Sequence, residues 1–559
     1  MSSPSARITY LRSLPSIRTE CAKVFALAES NQLEYWDVDL TQEPKIVDFV
    51  CSLIERDYGT NYASIPPHGR WRHFVGGRVD PLLARWGSDN VEAIEVARRM
   101  VDLMVASVLM DAGAGNVWKY VPKEGGEGIG RSEGLAVGSL EMFEKGMFSG
   151  VEGQPFRVDS VGLSQISTAQ ISDAMQVTSQ NPMDGIEGRA NLLVRLGSVL
   201  TDPANAAYFT KDGASRPGHL IDYLIAHPTS IQIPSPNSYK IAVDINTLWE
   251  IVVGGLSGVW PAARTKIDGV SLGDVWPVQS LGGELVPFHK LSQWLSYSLI
   301  EVMEVCLGWK FIGKETMTGL PEYRNGEPTC SLEEKATNQT TTGGLLVDFG
   351  LLTPRIPALL KSFDLPVPTP LPELLSIPPI HASHSAIVEF RAVTVIMLDR
   401  LADGIRKKTG DANYPNDGSV LTTVWDNSGH VDVSYTPVNQ AVGSGHVHTT
   451  SVIFTLRQYF YGAHQFDDKI IVVGTITPPG DFSTINTRLA LPSRFYDGDN
   501  SDQDDRTLST TGGDGSVGEW AFQVIEQQSY TSDGTVAKAQ LIEFLSAAPL
   551  INITYIAHP

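Results

Sequence analysis

The sequence predicts a mainly α-helical protein: one large helical domain followed by a smaller β-rich C-terminal region. Apolar residues recur at helical spacing through most of the chain up to about residue 408. Over the same stretch no strand–helix alternation and no glycine-rich phosphate loop occurs, which removes support for a dinucleotide fold and a parallel sheet. After Gly410 the pattern changes to short Val/Ile/Thr/Tyr/Phe segments separated by Gly, Pro and Asp.

The elements follow in order. Tyr10 to Glu29 and Ile46 to Ile54 carry apolar residues at helical spacing, joined by the extended connector Leu33 to Asp39. Pro66-Pro67-His68-Gly69 breaks the chain and delivers Arg70-Trp71-Arg72-His73-Phe74. The clearest helix is Asp89 to Met110, with Asp89 or Asn90 as its cap and a stripe from Val91 to Val108; it stops at Asp111-Ala112-Gly113-Ala114-Gly115. Further helices are expected over 139–145, 185–201, 219–226, 248–253, 287–307 and 385–408. Strands are expected over 419–424, 430–435, 449–460, 469–477, 520–525 and 550–557, and disorder over the acidic, Gly/Ser/Thr-rich 497–515.

At 559 residues with 42% hydrophobic content the chain is long enough for two or more domains. Its formal net charge of -21 argues against a nucleic-acid partner, which needs Lys and Arg to neutralise phosphates. A locally basic pocket for a small anion remains compatible with an acidic protein. Cys21, Cys51, Cys306 and Cys330 are far apart, so neither a disulfide framework nor a structural zinc site is expected. No apolar run reaches the roughly 20 residues of a membrane span, and the N-terminus lacks a secretory core, so a cytoplasmic protein is expected. His446-Val447-His448 lacks a third ligand, and the segment from Asp497 lacks the glycine and closing Glu of a calcium loop. No metal is expected.

The most informative stretch is Phe288 to Glu301. Read as a helix, it spaces His289, Gln293, Tyr297 and Glu301 four residues apart in one polar stripe flanked by Leu291, Trp294, Leu295 and Leu299. All four can donate, accept or transfer protons, which suits a helix lining a polar cavity. The alternative is a buried helix whose polar groups satisfy neighbouring loops. Other clusters are Arg70-Trp71-Arg72-His73-Phe74, which suits an anion beside a ring, and Arg131-Ser132-Glu133-Gly134. Leu272-Gly273-Asp274-Val275-Trp276 sets a carboxylate among apolar residues, and Thr318 to Gly326, with Glu322, Arg324 and Asn325, has the character of a binding loop.

These segments occur here in one order with Tyr10-Leu11-Arg12-Ser13-Leu14, Asn181-Pro182 and Glu187-Gly188-Arg189. Together they make residues 8 to 408 resemble the uracil catabolism protein 4 family of fungi and bacteria. Pro287–Leu299 is more loosely similar to a Gln-containing helix of the queuosine-nucleotide N-glycosylases, helical enzymes that hydrolyse a base–ribose bond. The chain departs from the family pattern at Glu327 to Thr342, a polar interruption expected to be an exposed loop, and again in residues 411–559. The resemblance implies a pathway that opens the uracil ring to a ribosylurea-type intermediate and then releases urea.

From that implication we expect an N-ribosyl hydrolase acting on a small ribosylurea-like or nucleotide-like substrate, without an organic cofactor or membrane. A non-catalytic binding or regulatory protein of the pathway is the alternative. The expected catalytic groups are Asp274 as base or nucleophile, His289 as acid and Glu301 to anchor ribose hydroxyls or orient the water, with Glu322 as a reserve carboxylate. Arg70, Arg72 or Lys290 would hold a phosphate and Trp276 or Trp294 would wall the site. His73, Arg131, Glu133, Gln293, Tyr297, Arg324 and Asn325 complete the expected binding set. Asp274 and Glu301 are expected roughly 5–10 Å apart, as paired carboxylates are in glycosidases.

Overall fold

The computed structural model describes residues 3–62, 65–111, 113–115, 117–233, 240–260, 264–321, 345–347, 349–365, 367 and 380–409. It also describes the backbone of strands 431–439, 450–458, 470–476, 486–490, 508–509, 521–529 and 537–545. The chain divides into two compact units, the first of residues 1–328, 341–355 and 381–426 and the second of 329–340, 356–380 and 427–559.

The first unit is mainly helical. Helices α1 (Pro4–Leu11) and α2 (Leu14–Glu29) replace the single expected segment. The break falls at Arg12 and Ser13 because Pro15 has no N–H and fits only the first turn of a new helix. There follow α3 (Glu43–Tyr58), α4 (Asp80–Ser88) and α5 (Ala93–Met110). The expected cap of α5 is displaced: Asp89 closes α4, Asn90 turns through a positive φ of 54°, and Glu92 caps α5. The acceptor-rich pair serves the end of one helix rather than the start of the next.

Helix α5 is apolar on nearly every side, with Met100, Val101, Leu103, Met104, Val105, Val108, Leu109 and Met110 all buried. Burying each such side chain contributes about 1.5–3 kcal/mol, so an all-round apolar helix is driven to the centre. Around it pack α6 (Arg131–Glu144), α9 (Ile186–Leu200) and α13 (Lys290–Leu307), with α7 (Ser160–Ser164) and α8 (Thr168–Ala174) against α9. Asp102, the one acid in the buried part of α5, accepts the N–H of Val158 at 3.0 Å and of Gly218 at 2.6 Å and pairs with Arg216 at 2.8 Å. Burial lifts its pKa to about 6 against the pull of Arg216.

Short helices α10 (Ala206–Phe209), α11 (Leu220–Ala226) and α12 (Ile245–Glu250) complete this half. On the other side, α15 (Ser385–Thr409) packs on α2 and α3. Residues 275–278 and 284–287 form an antiparallel hairpin that touches α2 and α15 and leads straight into α13. One expectation needs correcting. Lys310–Ile312 pairs in parallel with Ala242–Asp244, so a parallel pair exists before Gly410. At three residues a side it is too short to leave a period in the sequence.

The second unit holds α14 (Ile356–Ser362) and a seven-stranded antiparallel sheet. The strand order is 431–439, 450–458, 470–476, 486–490, 537–545, 521–529 and 508–509. The insert Glu327–Thr342, the strands expected over 419–424 and 550–557, His446 with His448, and the acidic segment from Asp497 apart from 508–509 lie outside the described residues. Among the described residues no helix is long and apolar enough to cross a membrane.

Candidate functional site

Helix α13 begins abruptly. The strand Glu284–Pro287 ends, His289 turns with φ +48°, and the helix starts at Lys290. Asp274 receives this turn. Its backbone oxygen accepts Phe288 N–H at 2.9 Å, and its Oδ2 accepts Lys290 N–H at 3.0 Å. The fully buried Arg391 of α15 donates one nitrogen to each carboxylate oxygen at 2.8 Å, and Trp276 donates its indole N–H to Oδ1 at 2.7 Å. Arg391 also donates to Pro321 O at 2.9 Å and stacks 4.1 Å above the Phe288 ring. Four donors saturate the lone pairs of Asp274, which makes it the anchor tying α13 to α15.

The first three members of the expected stripe are likewise occupied. His289 Nε2 bonds Leu11 O at 2.8 Å, its ring rests edge-on to Trp249, and burial lowers its pKa. Gln293 donates to Phe288 O and Thr318 Oγ1 and accepts Thr318 N–H at 2.7 Å. Tyr297 donates to Thr318 O at 2.7 Å. For these residues the alternative of satisfied neighbouring loops describes what is found.

Glu301 is different, and helix geometry gives the reason. Residues four apart advance about 40° around an α-helix, so the stripe winds roughly 120° from His289 to Glu301. Glu301 therefore shares a face with Lys290, Trp294 and Ser298. It also lies eleven residues beyond Lys290, roughly 16 Å along the axis. The expected 5–10 Å between Asp274 and Glu301 is thus corrected: the anchor sits at the start of α13 and Glu301 two-thirds of the way along it.

Against this second face packs the short 3-10 helix Arg70–His73, which also touches α5 and α6. Ser298 Oγ accepts Arg70 N–H at 2.9 Å. The Arg70 side chain is fully buried: Nε donates to Ser107 Oγ at 2.7 Å, itself bonded to Ser139, and Nη1 pairs with Asp111 at 3.0 Å. Ser132 Oγ donates to Asp111 Oδ2 at 3.2 Å. The rings of His68, His73 and Trp294 lie 5.9 to 6.3 Å apart, and the Arg70 guanidinium is 5.7 Å from the Trp294 ring.

Electrostatics bind these groups into one site. Burial pushes the Glu301 carboxyl up to about 8, with Arg72 pulling it down and Glu304 pushing it up. Burial also raises Glu133, with Asp111 adding to the rise and Arg70 and Arg72 opposing it. His68 is held well below its usual range by burial, Arg72 and Lys290, and His73 by burial, Arg70 and Arg72. The Arg72 charge acts on all four of these groups. Arg131 opens α6 next to Ser132 with a positive φ of 55°, a conformation that costs energy in a residue bearing a Cβ.

The structure thus gathers Arg70, Arg72, His73, Glu133, Lys290, Trp294 and Glu301, with Arg131 at the border. It separates from them Asp274, Trp276, His289, Gln293 and Tyr297. Glu322, Arg324 and Asn325 lie outside the described residues. Sequence reading missed His68, Asp111, Ser132 and Ser298 as site members. His68 and Asp111 read as parts of a chain break and a helix end, which they also are. The signal available was the Lys290/Trp294/Ser298/Glu301 spacing of four, four and three, which tracks one helix face better than strict fours. Among the described residues no group of three His, Cys, Asp or Glu side chains is arranged to hold a metal ion.

Such a cluster can hold an oxygen-rich ligand beside a flat indole and keep a carboxylic acid protonated near neutral pH. A family model described as protein of unknown function (DUF1688) matches residues 10–417. The chain is 38% identical over 427 residues to uracil catabolism protein 4 of Lachancea kluyveri, covering 72% of this chain and 89% of that protein. It is 36% identical over 397 residues to protein urg3 of Schizosaccharomyces pombe, covering 70% and 85%.

Proposed function

The chain belongs to the DUF1688 family together with these relatives, and on that premise we propose that it works in uracil catabolism as an N-ribosyl hydrolase. The substrate is a ribosylurea-type intermediate, split with one water into urea and ribose or ribose phosphate. The observation that carries the reading is Glu301, whose carboxyl is pushed up to about 8 by burial and lies within the field of Arg72.

Hydrolysis at an anomeric carbon passes through an oxocarbenium-like state and needs an acid for the leaving nitrogen. Glu301 is protonated at neutral pH and gives that proton to the departing urea nitrogen as the C1′–N bond breaks. Glu133 accepts a proton from the water whose oxygen bonds C1′. Trp294 walls the ring. His68 and His73, held neutral, are suited to hydrogen bonds with ribose hydroxyls. Asp274 and His289 are assigned a positioning role, holding the start of α13.

Purified full-length protein given ribosylurea, or its 5′-phosphate, tests this by urea release. Saturable release of urea and sugar in equal amounts is the expected result. Binding of the compounds without release would make the chain a binding protein of the pathway instead.

A further inference from the structure

We propose that this site is built for a ribosyl substrate carrying a phosphate monoester, with the phosphate beside Arg70 and Trp294 and the anomeric carbon toward Glu301. The inference rests on the hydrolase reading for its substrate class and on a surplus of buried donors for its phosphate. Arg70 is fully buried, yet its Nη2 has no hydrogen-bond acceptor among the described residues. The indole Nε1 of Trp294, 4% exposed and in the same aromatic cluster, also has none. Buried N–H groups are almost always paired, and leaving them unpaired is costly. A ligand that brings oxygen lone pairs satisfies both.

The character of the donors narrows the ligand. A sugar hydroxyl donates as well as accepts, whereas a dianionic phosphate only accepts. One donor is a guanidinium, whose fork matches phosphate oxygens. The charges of Arg72 and Lys290 act on His68 at the edge of the same cluster. In a chain of net charge -21 this local gathering of three cations runs against the whole. Along α13, Trp294 and Glu301 are seven residues apart, roughly 10 Å, a span suited to a ribose ring with its phosphate arm.

Calorimetric titration of the full chain with ribose, inorganic phosphate and ribose 5-phosphate tests the inference. Ribose 5-phosphate is expected to bind at least about tenfold more tightly than either other probe, the loss of a charged hydrogen bond being worth at least that factor. Trp294→Phe, which removes the N–H donor but keeps an aromatic ring, and Arg72→Gln should each weaken ribose 5-phosphate several-fold more than they weaken ribose. Arg70 is kept, because replacing it would leave Asp111 buried without its partner. Equal affinity for ribose and ribose 5-phosphate would overturn the inference, as would inorganic phosphate binding as tightly as the sugar phosphate. Turnover separates this inference from the reading beneath it. Equal kcat/KM for ribosylurea and its 5′-phosphate would refute the phosphate site alone. Tight ribose 5-phosphate binding with no turnover of either compound would support the phosphate site and refute the hydrolase.

Discussion

Gly69 lies directly against the Glu301 carboxyl, so closely that a Cβ on residue 69 would overlap Oε2. The contact brings the chain break before Arg70 onto the face of α13 that carries Trp294 and Ser298. Burial of the Glu301 carboxyl is what raises its pKa.

Gly69→Ala should therefore act on the Glu301 carboxyl before it acts on the fold, because the atom in the way of a Cβ is the far end of that side chain. Either Glu301 or the Arg70–His73 turn must move, at a cost of about 1–3 kcal/mol. Loss of most urea release with a modest fall in melting temperature is expected. Normal activity with normal stability would mean that the carboxyl has room to move.

Glu301→Gln should lower kcat by about 10²–10⁴-fold, the usual contribution of general acid catalysis. Wild-type kcat should fall as pH rises through about 8, where the acid ionises. Stability carries the same sign. A carboxyl raised from its unfolded value to about 8 stabilises fully below the unfolded pKa, and that contribution is lost as pH rises through 8. Hence Glu301→Gln should be more stable than wild type above pH 8, by on the order of a few kcal/mol, and near parity at pH 4. Melting curves across pH check this.

Asp274→Asn should act on folding before catalysis. It leaves the fully buried Arg391 without a carboxylate, which typically costs about 3–5 kcal/mol. Arg391→Met in the same chain should recover part of that loss, since removing both partners is milder than removing one. Denaturant melts of the two single variants and the double variant measure the coupling. Additive losses would show that the pair is not the anchor described here.

Ending the chain after residue 417, where the family match stops, should preserve urea release. Circular dichroism must first show that the shortened protein is folded. A folded fragment without activity would give the remaining residues a part in the site.

The helical character was legible because long amphipathic or wholly apolar segments leave an unmistakable spacing, as in α5 and α13. Boundaries were less so: Asp89 has the chemistry of an N-cap yet closes the preceding helix. The three-residue parallel pair of Lys310–Ile312 left no period to read. At the site, sequence brought forward Arg70, Arg72, His73, Glu133, Trp294 and Glu301, because charged and aromatic residues clustered beside breaks are conspicuous. It did not reveal the partner of Asp274, since an acid among apolar residues looks the same whether it faces a substrate or a buried arginine 117 positions away. It also grouped Glu301 with His289 by counting in fours, where the true repeat of 3.6 carries them to different faces.

The central claim is that Glu301 is a protonated acid at neutral pH within a cationic, aromatic cluster. Titration of carboxyl-labelled glutamates by carbon NMR tests it without any substrate, with Glu301→Gln providing the assignment. One glutamate signal is expected to titrate near pH 8 and to be missing from the variant. A Glu301 signal that titrates in the ordinary glutamate range, about 4–5, would contradict it.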